Sequence, residues 1–171
     1  MSVSMYKVSV PIFIQFLNAL SGVLDKAQAH IDAKKLDVSF FMGMRIYPDM
    51  HNFTRQVRAS TDHAVNACAR IAGVELPVFE NNETTIADLK QRVEKAVAFL
   101  RTIRPEQLDG AEDKEIVIKF ASGERRFTGQ TMLLNFSLPN FYFHTTTAYD
   151  ILRHCGVEIG KRDFMGTPVQ A

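Results

Sequence analysis

The chain has no tryptophan, only two cysteines among 171 residues, and almost no net charge, with 20 basic against 19 acidic side chains. Each shortage excludes something. Two cysteines, Cys68 and Cys155, make neither a disulfide framework nor a zinc-ligand spacing. A net charge of +1 gives no basic face, so nucleic acid is not an expected partner. No apolar run reaches the length of a membrane span, so no membrane partner is expected either. The apolar stretch Val8–Leu20 is interrupted by Gln15 and Asn18 and lacks the charged start and small-residue cleavage site of a signal peptide. The expected location is the cytoplasm. Repeats, low-complexity tracts and Gly/Ser linkers are also lacking, and the length suits one domain over residues 1–171. Gly-rich phosphate loops, nucleophile elbows and paired-carboxylate motifs are absent.

What is present is helical periodicity. Met5, Val8, Ile12, Phe16, Leu20, Val23, Ala27 and Ile31 recur at steps of three and four, which predicts a helix over 4–33, with a kink or start at Pro11 or a break at Gly22. A second helix is expected over 48–72, opening at Pro48 and stopping at Gly73. Its inward stripe runs through Ile46, Met50, Phe53, Val57, Ser60, Ala64, Cys68 and Ile71. Lys35–Pro48 before it reads as an irregular connection with room for one helical turn. Thr85 with Asp88 forms a capping pair before a third helix over 84–103, whose wet side carries Lys90, Gln91, Arg92, Glu94 and Lys95. Glu115–Phe120 and Glu124–Thr128, separated by Ala121-Ser122-Gly123, read as a β-hairpin. The fourth helix is expected over 129–155, with Pro139 inside it depriving the Asn135 carbonyl of its partner, and the tail 157–171 reads as extended. Four amphipathic helices and one hairpin describe an all-α four-helix bundle with a short β-hairpin before the last helix.

The segment Leu138-Pro-Asn-Phe-Tyr-Phe-His144, with the ending Leu152-Arg-His-Cys-Gly-Val157, resembles the last helix of the DinB-like four-helix bundles. Ser9-Val-Pro-Ile-Phe, Pro48-Asp-Met, Asn82-Glu-Thr and Phe127-Thr-Gly extend the resemblance over nearly the whole chain, to an uncharacterised bacterial branch of the DinB/YfiT-like superfamily. The resemblance implies the fold and no settled activity. Many DinB-like proteins hold a divalent metal through three histidines, one on the second helix and two in a His-x-x-x-His pair on the fourth. In register, His144 takes the second place of that pair, Asn140 the first, and Gln56 falls near the helix-two place. Amides at two of three ligand positions suit zinc or nickel poorly.

No bound metal or other cofactor is therefore expected. The alternative is a divalent metal, Zn or Ni, on His144 with His51 or His63, serving a transferase or hydrolase of the DinB-like kind. The favoured expectation is a polar pocket around His144, built with Asn140, Gln56, Tyr149 and His63, that binds a small molecule or acts on one. An unremarkable counterpart is a core histidine satisfied by Asn140, Gln56 or a tyrosine hydroxyl. A third alternative is a non-catalytic, self-associating bundle; a homodimer is the expected assembly. Catalytic residues stay unassigned. Gln56 is the first choice of partner for the His144 ring, since a buried imidazole without one would cost on the order of 1–3 kcal/mol.

Overall fold

The computed structural model describes residues 4–120 and 122–168. Its four long helical segments are α1 (Val10–Lys34), α3 (Phe53–Ala72), α4 (Ile86–Leu100) and α7 (Leu138–His154). Shorter helices α2 (Val38–Gly43), α5 (Pro105–Leu108), α6 (Gly129–Thr131) and α8 (Lys161–Met165) fill the connections. Strands β1 (Glu115–Phe120) and β2 (Gly123–Thr128) pair antiparallel, with Glu115 opposite Thr128 and Phe120 opposite Gly123. Ala121, in the expected turn, and residues 169–171 of the expected extended tail lie outside the described residues. Among the described residues no helix is long and apolar enough to cross a membrane.

Helix α3 packs most extensively on α7, and α1 on α4, with α3 against α4 closing the bundle. Phe13, Leu17, Leu24, Phe53, Val57, Leu89, Leu100 and Phe141 form the buried centre. The apolar steps read along the chain place Phe53 and Val57, while Phe13, Leu17 and Leu24 each lie one residue past a member of the first stripe, because the dry side of a packed helix is wider than a single row.

The helix ends differ from the expectations for local reasons. Helix α1 starts at Val10, not Ser4: Ser9 turns back to donate its hydroxyl to the Met5 carbonyl at 2.6 Å, and Pro11 sits in the first turn, where no N–H is needed. Gly22 does not break it. Helix α3 begins at Phe53 rather than Pro48, because the Asn52 side chain accepts from the Arg55 N–H and caps it there. Ile46, expected inside, is consequently exposed, and one helical turn, α2, occupies the connection before it. Helix α4 has the Thr85–Asp88 capping box but ends at Leu100. The tail is not wholly extended, since it carries α8, which packs on α1.

Two departures matter most. Arg92 is buried, not on the wet side. Its guanidinium donates to Asp62, to Glu83 at 2.7 Å, to Asn81 at 3.0 Å and to Thr61 at 2.7 Å, and it lies 4.2 Å from the centre of the Phe79 ring. Arg58 donates to the same Glu83 at 2.6 Å. These arginines hold the Glu83 carboxyl below its ordinary range although burial alone would raise it. A buried cation paired with two carboxylates, an amide and a hydroxyl is tolerated where an unpaired one is not.

The second departure lies before Pro139. Met132–Ser137 is π-helical, with the Leu138 N–H reaching back five residues to the Leu133 carbonyl. The widened turn brings the chain to Pro139 at the start of α7, again where a missing N–H is harmless. The π segment is anchored by a close approach at Gly129, where a Cβ would lie 2.1 Å from the Ala111 carbonyl oxygen.

Candidate functional site

The α3–α7 interface is dry except along a short polar seam. Ser60 donates to the Gln56 carbonyl at 3.0 Å, and Thr145 reaches the Ser60 hydroxyl at 3.2 Å and the Phe141 carbonyl at 2.7 Å. One turn toward the α3 N-terminus, Gln56 meets His144 across the interface, with Nδ1 and Oε1 2.7 Å apart. This is the partner named from the sequence.

Gln56 has a second bond. Its Nε2 donates to the His51 carbonyl at 3.1 Å. A carbonyl only accepts, so the amide nitrogen must face His51 and the amide oxygen must face His144. That oxygen also only accepts, so His144 Nδ1 carries the proton. Its Nε2 then holds the lone pair. Nε2 has no hydrogen-bond partner among the described residues, and no buried side-chain nitrogen or oxygen there lacks one. Nε2 is therefore open to solvent.

His144 lines a cavity of about 370 Å³. The loop before α3 contributes Asp49, Met50 and His51; Gln56 comes from α3; Phe143 and His144 come from α7. His51 lies in that loop, not on the helix, because α3 starts late. His63, two turns along α3 from Gln56, stacks near the same ring: its centre is 5.5 Å from that of His144 with the planes 13° apart. The His51 ring is 6.2 Å from His144 at 29°. The rings of His51, from the loop, and His63, from α3, thus flank that of His144 on α7.

Burial first, then the neighbouring His63 and His51 rings and the Arg55 charge, pushes the His144 pKa down to about 4. Burial also lowers that of His63, with Asp62 opposing and Arg55 reinforcing the shift. At neutral pH His144 is therefore an uncharged ring with a fixed tautomer and an available lone pair.

Two expected members are elsewhere. Asn140 turns its amide along its own helix and donates to the Phe136 carbonyl at 2.7 Å, so it neither satisfies His144 nor faces it as a partner. Tyr149 packs on Phe164, ring centres 5.7 Å apart, outside the cavity, because five residues along a helix rotate it well away from His144. Met50 and Phe143 are cavity residues that the sequence did not place there, and Phe143 is 55% exposed. Neither cysteine joins the site: burial lifts the Cys68 thiol to about 12 and also raises that of Cys155. A larger cavity, about 490 Å³ beside Phe79 and Asp88, is walled by Glu83 and Arg92, whose charges are already paired.

Two of the three ligand places that the DinB-like resemblance implies carry amides already engaged elsewhere. Gln56 Oε1 is engaged by His144, Asn140 is engaged by its helix, and among the described residues no group of three or more His, Cys, Asp or Glu side chains is arranged to hold an ion.

Residues 5–165 match the family model described as a domain of unknown function (DUF1993). A crystal structure of a DinB family member protein from Shewanella denitrificans is similar at a TM-score of 0.86 and 35% identity, over 97% of this chain and 94% of that one. No curated protein matches the sequence.

Proposed function

This chain belongs to the DUF1993 family, with the DinB-like four-helix-bundle fold, and we propose that its imidazole cluster binds a small polar molecule through the open nitrogen of His144. The observation that carries this reading is the double use of the Gln56 amide. It fixes the His144 tautomer from behind and leaves Nε2 without a partner among the described residues, on a ring that lines a cavity large enough for a small ligand. The ligand must present a hydrogen-bond donor, since a neutral imidazole nitrogen without a proton only accepts. Met50 and Phe143 supply apolar wall, and Asp49 and His51 a polar rim.

The low pKa argues for binding rather than proton transfer as the role of His144. A general base works best with a pKa near the working pH, and a group near 4 is a weak base at pH 7. A fragment set of alcohols, amides and amines, screened by ligand-observed NMR against the wild type and His144→Phe, tests the reading. Donor-bearing hits lost in His144→Phe at unchanged melting temperature would support it. A hit set identical in the two proteins would contradict it.

A second reading is a divalent metal, zinc or nickel, on His144 with His51 or His63. The gathering of three imidazole rings favours it, and so does the Gln56 oxygen behind Nδ1, the kind of outer partner that orients a metal-bound histidine. Calorimetric titration with Zn²⁺ and Ni²⁺ separates the two: stoichiometric binding lost in both His63→Ala and His144→Ala would favour the metal. The expected homodimer is supported by the exposed rings Phe40, Tyr47 and Phe143. Sedimentation equilibrium giving the monomer mass would exclude it.

A further inference from the structure

A second cavity, of about 170 Å³, lies between α3, β1 and the π-helical segment. It is independent of the His144 nitrogen, though His63 borders it and stands between Phe136 and His144, with ring centres 5.5 Å from each. Its apolar wall is Ile118 from the hairpin with Met132 and Phe136 from the π turn. Its polar side is Asn66 and Arg70 on α3. The wide turn helps shape the space, and such turns recur at binding sites.

Arg70 is the informative residue. It is half-buried at the cavity, and its guanidinium has no hydrogen bond or ion pair among the described residues. Its backbone carbonyl is served by Lys114, but the five N–H donors of its side chain are not used. Asp62 also borders the cavity, yet its carboxylate is held by Arg92. The unanswered charge at the cavity is thus positive, planar and forked, a shape that matches a carboxylate with two parallel hydrogen bonds. The space behind it is apolar and smaller than the ~300–1,000 Å³ of pockets for drug-sized ligands.

We propose that this cavity binds a small carboxylic acid with a compact apolar body, the carboxylate on Arg70 and the body against Ile118, Met132 and Phe136. A benzoate-sized acid is the expected scale.

Methyl-detected NMR tests this on the full chain, with benzoate, the uncharged benzamide and inorganic phosphate as probes. Benzoate should shift the Met132 and Ile118 methyl signals. Arg70→Gln should weaken benzoate about ten- to hundredfold and leave benzamide unchanged, and Arg70→Lys should recover part of the loss. His144→Phe should leave benzoate binding intact, which keeps this site's outcome separate from that of the imidazole pocket. The proposal is overturned if benzoate moves neither methyl, if Arg70→Gln weakens benzamide equally, or if phosphate competes as well as benzoate, since the apolar wall would then contribute nothing.

Discussion

Lowering the pH should destabilise this protein through His144 before most of its carboxylates respond. In the folded chain the ring takes up its proton only near pH 4; in the unfolded chain it does so near 6.5. Between those values the unfolded state binds more protons, so falling pH favours unfolding. The contribution is present in full above pH 6.5 and lost as pH falls to 4. His63, lowered by burial, acts in the same direction. A pKa drop from 6.5 to about 4 corresponds to roughly 3 kcal/mol at ~1.4 kcal/mol per pH unit. The ring is only partly buried, so solvent screening reduces this to about 1–2 kcal/mol. Urea denaturation at pH 7 and pH 4.5, followed by circular dichroism, reads the loss in the wild type and in His144→Phe. The wild type should lose about 1–2 kcal/mol more than the variant over that interval. Carboxylate effects common to both proteins cancel in the difference. Equal losses, or a smaller loss in the wild type, would refute the reasoning.

Gln56→Glu should raise the His144 pKa by at least about one unit, because a carboxylate accepting from Nδ1 favours the charged ring; an unchanged or lower value in an NMR titration would count against the pairing. Arg92→Leu should cost about 2–4 kcal/mol, since Asp62 loses its partner and Glu83 keeps only Arg58; a variant within about 0.5 kcal/mol of the wild type would show the network to be unimportant. Gly129→Ala should cost about 1–3 kcal/mol, because its Cβ would overlap the Ala111 carbonyl; an unchanged melting temperature would mean that the two segments separate freely.

The four-helix architecture was legible because each long helix has one dry face, and that face is written every three or four residues. Gln56 and His144 could be matched because both flank such stripes on adjoining helices. Arg92 could not be placed. Nothing in the neighbourhood of its helix announces Asp62 or Glu83 as partners, and a lone arginine beside Lys90 and Glu94 reads as wet. His51 was misplaced by a single cap: Asn52 starts α3 later than Pro48 would, and the histidine moves from helix to loop. Asn140 has the right spacing to reach His144, but its own helix offers a nearer acceptor. The π turn was invisible except as Pro139, which marks a disturbance without saying which register resolves it.

The imidazole pocket depends on the protonation of one ring. Long-range ¹H–¹⁵N spectra of histidine-labelled protein at pH 7 observe it directly. His144 should be neutral with the proton on Nδ1 and an unprotonated Nε2, unchanged down to about pH 5 and reverting toward mixed tautomers in Gln56→Ala. A proton on Nε2, or an imidazolium at pH 7, would contradict this.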